Sequence, residues 1–330
     1  MNYGIKILYT LVIILFVISG KAQKLEMLHE AGKVSLRGLS IYKNTIWVSG
    51  SAGNVGRSAD GGNSWQWISV KGFENTEFRD IEAIDEQTAI IMGIGSPAHI
   101  LKTTDGGKTW KLVYKNTHPT MFLDAMSFTK NGEGVVVGDP VNGRFFTAST
   151  QNGNFWQLTN QWNLPVPNQG EAFFAASGSN LVLKKKKYYI VSGGTVSRLF
   201  TNKKASLLPL QQGRETTGAN SVVVWGKQIA VAGGDFARPN KNDSVFAISK
   251  NSGKTWKLPL LPPGGYRSSV CFVNKNTLVT CGINGIDVSV DAGKTWNNIS
   301  KIGFNTCIYS KTNKVVYFVG NNSGVGKIKF

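Results

Sequence analysis

The chain has 330 residues, of which 41% are apolar, so it can form a large core and is not a disordered chain. Its 37 Lys and Arg outnumber 19 Asp and Glu, which gives a net charge of +18. Only 17% of the side chains are charged and long charge-rich helical stretches are missing, which excludes coiled coils and helical bundles. Short runs of Gly, Ser, Thr, Asn, Val and Trp are typical instead of an all-β protein with many turns.

Residues 1–22 have the composition of a secretory signal peptide. Lys6 supplies a positive charge, an apolar run of twelve residues extends from Ile7 to Ile18, and small residues precede a cleavage position after Ala22. The alternative, an N-terminal membrane anchor, is not favoured because a spanning helix needs about 20 apolar residues. We therefore expect export to the periplasm or the cell exterior. The mature chain, residues 23–330, would be a single domain of 308 residues with a charge of +16.

The chain contains three cysteines, Cys271, Cys281 and Cys307. An odd number leaves at least one thiol unpaired within a single chain. Cys271 and Cys281 flank a predicted hairpin, so their pairing stays open, although burial as small apolar side chains is the favoured interpretation. Three cysteines and three histidines offer little material for a metal site, and we expect none.

One eight-residue pattern recurs along the chain and decides the fold prediction. It is first seen as Ser58-Ala-Asp60-Gly-Gly-Asn-Ser-Trp65. Clear copies follow at residues 103–110 and 289–296, weaker copies at 149–156 and 249–256, and an almost erased copy at 202–207. Successive copies are 45, 46, 51, 49 and 40 residues apart, which is typical of propeller blades or long solenoid repeats.

The pattern Ser/Thr-x-Asp-x-Gly-x-Thr-Trp is that of the Asp-box, also called the BNR repeat. Its Asp can accept backbone N–H bonds within its own turn, its Gly permits a positive φ, and its Trp can fill the gap between neighbouring sheets. We therefore assign these residues a structural role and no catalytic one. They are Asp60, Trp65, Asp105, Trp110, Trp156, Asn251, Trp256, Asp291 and Trp296.

The segments between the boxes have the pattern of short strands, and none has helical periodicity. In the second repeat, strand-like segments at 77–84, 88–94 and 98–104 precede the box, and one at 109–114 follows it. Four strands per repeat favour a β-propeller over a helical solenoid. A pair of β-sandwiches would not require the same turn in every repeat.

The number of inner strands predicts the number of blades. Seven starts are identified, near Leu36, Phe78, Phe122, Phe173, Ser221, Ser268 and Asn305. The last repeat contains three strands and stops where a seventh box would begin, whereas a spare strand at residues 24–29 precedes the first repeat. That strand can complete the last blade and leave no open edge. The sequence thus predicts a seven-bladed β-propeller closed by an N-terminal strand in the last blade, with six or eight blades as alternatives.

Over essentially all of the mature chain, the sequence resembles the Asp-box propellers of the photosystem II stability/assembly factor type. Beyond the boxes, four segments resemble an exported bacterial branch of that group: Gly138-Asp-Pro, Glu171-Ala-Phe-Phe-Ala-Ala-Ser-Gly, Gly233-Gly-Asp and Gly265-Tyr-Arg-Ser. The resemblance implies a non-enzymatic scaffold that holds membrane-protein intermediates with a patch of arginines. Arg37, Arg79 and Arg267 occupy the matching inner-strand positions in repeats one, two and six, and the other repeats have no arginine there.

The boxes are also similar to those of sialidases and other glycosidase propellers, which is the alternative function. Such enzymes use an arginine triad for a carboxylate, a Tyr activated by Glu, and an Asp acid/base. Arg37, Arg79, Arg267, Tyr266 and Glu171 could supply such a set. The Arg-Ile-Pro-type element expected before the first box is absent, because Arg37-Gly-Leu stands there.

We expect an exported, non-catalytic binding or scaffold protein whose ligand surface is one face and the mouth of the propeller channel. Inner strands converge there, so the three arginines would gather around the axis, with Tyr266 and Glu171 nearby and Asp139 and Asp235 on a rim. Convergent guanidiniums favour an anionic partner, such as an acidic glycan, a carboxylate ligand or an acidic segment of an envelope protein. A second possibility, in which the arginines pair with Asp80, Asp124 and Glu82, stays open.

No cofactor is expected. The segment Gly93-Ile-Gly95-Ser-Pro-Ala98 matches a dinucleotide-binding pattern, but a strand follows it instead of the helix that would hold the pyrophosphate. Asp139, Asp235 and Asp243 are interpreted as loop carboxylates and not as a calcium site. The sequence shows no motif for nucleic-acid binding. We expect a monomer that is not an integral membrane protein.

Overall fold

The computed structural model describes residues 23–30, 32–159, 164–184, 187–201 and 204–330. Across these ranges it contains 29 β-strands in seven sheets and no helix, so none that could cross a membrane. The innermost strand of each sheet contacts those of its two neighbours, and the ring closes from the seventh sheet to the first. The chain is therefore a seven-bladed all-β propeller, as predicted. The predicted signal peptide lies outside the described residues.

Four blades consist of four consecutive antiparallel strands each. The first contains β2 (Leu36–Tyr42), β3 (Thr45–Gly50), β4 (Asn54–Ser58) and β5 (Gln66–Ser69). The second contains β6 (Phe78–Ala83), β7 (Ala89–Gly93), β8 (Ala98–Thr103) and β9 (Lys111–Asn116). The third contains β10 (Leu123–Phe128), β11 (Gly134–Val141), β12 (Arg144–Thr150) and β13 (Gln157–Leu158). The sixth contains β23 (Ser269–Phe272), β24 (Leu278–Gly282), β25 (Gly285–Ser289) and β26 (Asn297–Ser300).

The seventh blade combines both ends of the described chain. Its inner strands are β27 (Thr306–Ser310), β28 (Val315–Val319) and β29 (Val325–Lys329), and its outer strand is β1 (Glu26–His29). Glu26 pairs with Lys327 across the sheet, and Nζ of Lys327 lies 3.2 Å from Oε1 of Glu26. The predicted closure by an N-terminal strand is confirmed.

The fourth and fifth blades depart from this simple order. The fourth contains β15 (Leu181–Lys184), β16 (Lys187–Val191), β18 (Arg198–Thr201) and β19 (Lys204–Leu207). The fifth contains β20 (Thr217–Trp225), β21 (Gln228–Asp235) and β22 (Phe246–Ser249), and is extended by β17 (Gly193–Gly194) and β14 (Glu171–Ala172). The predicted start of the fourth inner strand near Phe173 is wrong. The short strand β14 ends just before Phe173, and the inner strand of the fourth blade, β15, begins at Leu181.

The repeated turns contain the hydrogen bonds that their sequence suggests. In the second blade, the backbone N–H of Thr109 donates to Oδ1 of Asp105 over 3.0 Å, and the Thr109 hydroxyl donates to Oδ2 over 2.6 Å. These bonds hold the pKa of Asp105 below its ordinary value. The buried hydroxyl of Thr103 accepts from Gly107 N over 3.0 Å and donates to Asp105 over 2.8 Å. Of the almost erased sixth copy, residues 202 and 203 lie outside the described residues.

The tryptophan of each box packs in the apolar cluster that its blade shares with the preceding blade. Trp65 packs with Tyr317, Trp110 with Trp47, Trp156 with Ile90, Trp256 with Leu199 and Trp296 with Phe246. The core is thus a ring of clusters between blades, and it does not fill the propeller axis, where a central channel contains two cavities.

The three cysteines belong to one cluster between the sixth and seventh blades. All three are buried free thiols, which decides the pairing that the sequence left open. The thiol of Cys307 lies 3.7 Å from the hydroxyl of Ser269. Burial raises the pKa of Cys281, so this thiol is a neutral, apolar part of the core.

Candidate functional site

A cavity of about 470 Å³ lies at the end of the channel where the inner strands begin, and we call it the mouth cavity. Its polar wall includes Arg37, Arg79, Asp139 and Asn220. Aromatic side chains, among them Phe122, Phe173, Phe174, Phe236 and Tyr266, form much of the remaining wall. A mostly apolar cavity with a few polar groups is the usual form of a ligand site.

A β-bulge near the start of several inner strands selects the side chains that reach the axis. In β2, Arg37 is the residue left out of the regular pairing with β3. Arg79 in β6, Asp124 in β10 and Asn220 in β20 are left out of the pairing of their strands in the same way. A bulge turns its extra residue out of the regular alternation of the strand. Three of these equivalent residues, Arg37, Arg79 and Asn220, therefore line the mouth cavity, whereas Asp124 is completely buried.

The guanidinium of Arg37 is a poorly compensated charge in the mouth cavity. Its Nη1 donates a hydrogen bond of 3.2 Å to the carbonyl oxygen of Ala176. No carboxylate in the described ranges forms an ion pair with it. Burial lowers the pKa of Arg37, and the nearby positive charge of Arg79 lowers it further. An anion beside Arg37 would offset both effects.

Arg79 differs from Arg37 because it has an ionic partner. Its Nε and Nη2 donate to Oε2 of Glu77 over 2.8 and 2.6 Å. The side chain is 26% exposed, so this pair is in contact with solvent. Arg79 thus forms none of the ion pairs with Asp80, Asp124 or Glu82 that the sequence left open.

Asp139 lies in the wall of the mouth cavity, where its Oδ1 accepts a hydrogen bond of 3.0 Å from the backbone N–H of Phe173. Burial raises its pKa to about 6. Asp124 is completely buried, and burial together with the charge of Asp139 raises its pKa well above the ordinary value. As the pH falls through about 6, Asp139 therefore takes up a proton and the wall of the cavity loses its negative charge.

Tyr266 is buried in the cavity wall, and its hydroxyl donates to Oδ1 of Asn220 over 2.9 Å. Burial raises the pKa of this phenol. The ring packs edge-on against Phe236, with 6.4 Å between the centroids. Phe236 and Ile283 also line the cavity and are 45% and 47% exposed. We call Phe236, Tyr266 and Ile283 the apolar ledge, because they give the mouth a partly exposed apolar side.

Arg267 does not line the mouth cavity, so the prediction that three arginines converge on the axis is wrong. Its backbone N–H donates to the carbonyl of Gly233 in the preceding blade, just as that of Leu36 donates to Gly320. Arg267 is therefore the equivalent of buried Leu36, and Ser268 is the equivalent of Arg37. A shift of one residue places a side chain on the opposite face of a strand.

In that position the Arg267 side chain is completely buried in the sixth blade. Its Nε donates to Oδ2 of Asp287 over 2.6 Å, and Nη1 donates to the backbone carbonyl of Tyr266 over 2.8 Å. This ion pair is structural, because no part of the guanidinium is exposed to a ligand.

Glu171 and Asp235 are also held away from the mouth cavity. Buried Glu171 accepts from Nε of Arg198 over 2.8 Å, and buried Asp235 accepts from Nε of Arg238 over 2.7 Å. The sequence pattern identified both carboxylates but not their arginine partners. The sequence predicted Glu171 near the arginines of the mouth and Asp235 on its rim, whereas in the structure neither carboxylate lines the mouth cavity, because each is bound to a nearby arginine.

Residues 174–179 cross the channel, and we call them the crossing segment. Ala176 accepts the bond from Arg37, and the hydroxyl of Ser177 donates to the carbonyl of Ser268 over 2.8 Å. The hydroxyl of Ser179 donates to that of Ser221 over 2.8 Å. The segment therefore links the fourth blade to the first, fifth and sixth and forms the floor of the mouth cavity.

Gly178 allows the crossing segment to pass close to the second blade. Its φ is +66°, and a Cβ at this position would lie 2.3 Å from Oδ1 of Asp80. The sequence contained a signal for this segment, since the small residues 175–179 lack the apolar alternation of an inner strand. The sequence contained no such signal for Phe236 and Ile283. Both residues lie in loops that follow strands, and the repeat pattern does not predict the path of these loops.

Comparison with known proteins supports the fold. Neither a protein-family model nor a curated protein matches the chain. Solved structures are similar over nearly its whole length. YCF48 bound to a D1 peptide has 14% identity and a TM-score of 0.65, with 95% of this chain and 96% of that chain covered. YCF48 from Cyanidioschyzon merolae has 16% identity and a TM-score of 0.65, with 92% and 98% covered.

The WD40 domain of Neurospora crassa Pan2 is similar to the same degree. It has 13% identity and a TM-score of 0.64, and the alignment covers 94% of this chain and 96% of that chain. Because all these identities are low, the similarities show that the chain shares the β-propeller fold of these proteins, and they show the fold alone.

Proposed function

We propose that this chain is an exported, non-catalytic binding or scaffold protein whose mouth cavity holds an anionic group of a protein partner. The observation that carries the proposal is the poorly compensated charge of Arg37 in a largely apolar cavity. A guanidinium offers a planar fork of donors that matches a carboxylate. Beside largely apolar walls, such a charge-assisted hydrogen bond is stronger than at an open surface.

The apolar ledge favours a peptide as the carrier of that anionic group. Phe236 and Ile283 are about half exposed beside the cavity and offer apolar contact area to residues next to an acidic side chain. The similar structure of YCF48 bound to a D1 peptide supports this choice, because it shows that a propeller of the same fold can bind a peptide. The resemblance to assembly-factor propellers supports a scaffold role.

Export and the Asp-box assignment are parts of the same proposal. The composition of residues 1–22 supports a cleaved signal peptide, which would place the partner in the periplasm or at the cell exterior. The hydrogen bonds of Asp60, Asp105 and Asp291 with their own turns support membership of the Asp-box group. The charge of +16 on the mature chain would hasten the encounter with an acidic partner.

A sialidase-like activity is not proposed, because the residues that it needs are not assembled in the described ranges. The hydroxyl of Tyr266 donates to Asn220, whereas Glu171 is bound to Arg198. Arg267, the third member of the expected triad, is buried against Asp287.

The test compares three forms of the mature chain in a pull-down from envelope extract: wild type, Arg37→Gln and Arg144→Gln. Arg144 is an exposed arginine outside the mouth cavity, so its variant controls for the loss of one positive charge. We expect one protein to be captured by wild type and Arg144→Gln and lost with Arg37→Gln. Equal capture by all three forms would contradict the Arg37 site.

Two parallel measurements examine the alternatives. Periodate treatment of the extract destroys glycans, so capture that disappears after treatment would contradict a protein ligand. A panel of fluorogenic glycosides examines catalysis, and turnover by wild type that is lost in Tyr266→Phe would contradict a non-catalytic role.

A further inference from the structure

Beyond the crossing segment, the channel continues as a second cavity of about 290 Å³, which we call the inner cavity. Ser177, Gly178 and Ser179 form one side of it, whereas Phe174, Ala175 and Ala176 of the same segment line the mouth cavity. The crossing segment therefore separates two compartments of one channel.

The inner cavity differs in charge from the mouth cavity. Its wall is mainly aliphatic, with Leu39, Met126, Val222 and Val270 among its residues. It also contains the carboxyl groups of Asp80 and Glu82. No lysine, arginine or histidine among the described residues lines it, although the chain has 37 lysines and arginines.

The carboxylate of Asp80 has a structural role. Its Oδ1 accepts from the backbone N–H of Ile81 over 2.8 Å, and its Oδ2 accepts from that of Met126 over 2.6 Å. Asp80 is 5% exposed and joins the second blade to the third. Both carboxylate oxygens of Asp80 thus accept hydrogen bonds from the backbone of the protein itself.

Glu82 lies two residues further along β6, and therefore on the same face of the strand. The hydroxyl of Ser40 donates to its Oε2 over 3.5 Å, which is longer than an ordinary O–H···O hydrogen bond. No positively charged side chain in the described ranges pairs with Glu82. A weakly held carboxylate in an apolar wall favours a cationic ligand, because the cation would compensate its lost hydration.

We propose that the inner cavity binds an ammonium group carried on an apolar body. Glu82 is the counter-ion, and the aliphatic wall holds the apolar body. Tyr309 and Phe272 also line the cavity, and aromatic faces attract ammonium ions. The source is either a free amine or a lysine side chain of a protein, since both present an ammonium group on methylene groups. The volume fits a small ligand.

The inner cavity has a route to solvent at the ends of the inner strands. Glu82, Val182, Val223 and Tyr309 are in its wall, and all four are only half-buried. This opening is on the propeller face opposite to the mouth cavity, since the arginines lie where β2 and β6 begin. Ligands could thus occupy the two compartments independently.

The proposal includes a pH dependence. The apolar wall desolvates the carboxyl group of Glu82 and raises its pKa to about 8, so the group loses its proton when an ammonium ion binds at neutral pH. Affinity should therefore rise as the pH increases from 6 to 8. Four other titratable groups line the cavity, namely Asp80, Tyr309, Cys271 and Cys307. The strands packed against β6 carry three more, which are Arg37 and Tyr42 of β2 and Asp124 of β10.

Isothermal titration of the mature chain with n-butylammonium chloride tests the site. The variants are Glu82→Gln and, as a control of equal charge, Glu86→Gln, whose side chain is 53% exposed and paired with Lys43. We expect wild type and Glu86→Gln to bind with equal affinity, and Glu82→Gln to bind at least about tenfold more weakly. The neutral analogue 1-butanol, which has the same number of carbon atoms, should bind more weakly than n-butylammonium. Equal binding by Glu82→Gln, or no binding by wild type, would overturn the proposal.

A second arm distinguishes the two sources of the ammonium group. The probe is Nα-acetyl-lysine methylamide, which presents a lysine side chain on a peptide unit. Binding of this probe at the affinity of n-butylammonium supports a lysine of a protein partner. Binding of n-butylammonium alone supports a free amine.

Two further measurements guard against a folding defect in Glu82→Gln. Val223→Phe reduces the cavity without changing any charge, and it should also weaken n-butylammonium binding. The pH profile provides an independent readout, because wild-type affinity should rise between pH 6 and 8 and that of Glu82→Gln should not. A flat wild-type profile together with full binding by Val223→Phe would exclude the inner cavity as the site.

Discussion

Nη1 of Arg37 donates a hydrogen bond of 3.2 Å to the carbonyl oxygen of Ala176 on the crossing segment. The bond joins the first blade to the fourth across the channel and places the guanidinium at the floor of the mouth cavity. A guanidinium has five N–H donors, and Ala176 is the one protein acceptor found for it in the described ranges. The remaining donors are therefore available to a ligand.

The pH dependence of anion binding follows from Asp139. Its raised pKa of about 6 means that it is mostly ionised at pH 7 and mostly protonated at pH 5. The mouth cavity then loses one negative charge near Arg37, whereas glutamates of a ligand stay ionised. We expect the affinity for a glutamate-rich peptide to increase about three- to tenfold from pH 7 to pH 5.

Titration of Asp139→Asn with the same peptide tests this explanation. The variant should bind more tightly than wild type at pH 7 and respond less to pH, whereas Asp243→Asn, a change in an exposed loop carboxylate, should behave like wild type. The same pH response in Asp139→Asn as in wild type would assign the effect to another group.

The buried pair of Arg267 and Asp287 should be important for stability and not for binding. Arg267→Met leaves the Asp287 carboxylate buried without its partner, which should lower the free energy of unfolding by about 3–5 kcal/mol. Arg79→Gln, which removes a solvent-exposed ion pair, should cost less than about 1 kcal/mol. Urea unfolding of both variants measures the difference, and similar losses would contradict the separate roles of the two arginines.

The hydroxyl of Thr103 should stabilise the repeated turn of the second blade. Thr103→Val keeps the shape but removes the acceptor of Gly107 N and a donor to Asp105. We expect a loss of about 1–2 kcal/mol in the free energy of unfolding and unchanged peptide binding by the folded protein. Thr104→Val, at the exposed neighbouring position, is the control and should have little effect. Loss of binding without loss of stability would indicate that the turn has a direct functional role.

Closure of the ring should depend on β1. Deletion of residues 23–30 exposes the edge of β29 and removes the pairing of Glu26 with Lys327. We expect the free energy of unfolding to decrease by several kcal/mol, because one strand buries enough apolar area to contribute that much. The Tm should therefore decrease clearly. An unchanged Tm in calorimetry would show that the propeller does not need this strand.

The repeats predicted the architecture well because they determine both the number of strands and their order. Five of the seven predicted inner-strand starts lie within one residue of β2, β6, β10, β23 and β27. The N-terminal closure could be predicted from a missing strand at one end and a spare strand at the other. Both inferences use periodicity, which survives sequence divergence.

The candidate site was predicted only in part, because its details depend on single residues. Arg37 and Arg79 line the mouth cavity, but Arg267 is displaced by one position and is buried. A repeat pattern does not show where a β-bulge inserts a residue. The crossing segment was missed for a related reason, since it replaces the start of a strand that the repeat predicts at Phe173.

The central claim is that Arg37 binds an anionic group, and side-chain NMR tests it most directly. The mature chain, with 15N-labelled arginine, is titrated with a glutamate-rich peptide, and Arg37→Gln and Arg144→Gln identify the Nε–Hε signals of the two arginines. The proposed site predicts that the Arg37 signal shifts with saturation while that of Arg144 stays in place, and that Arg37→Gln binds at least about tenfold more weakly. An unshifted Arg37 signal at saturation, or equal affinity of Arg37→Gln and wild type, would contradict it.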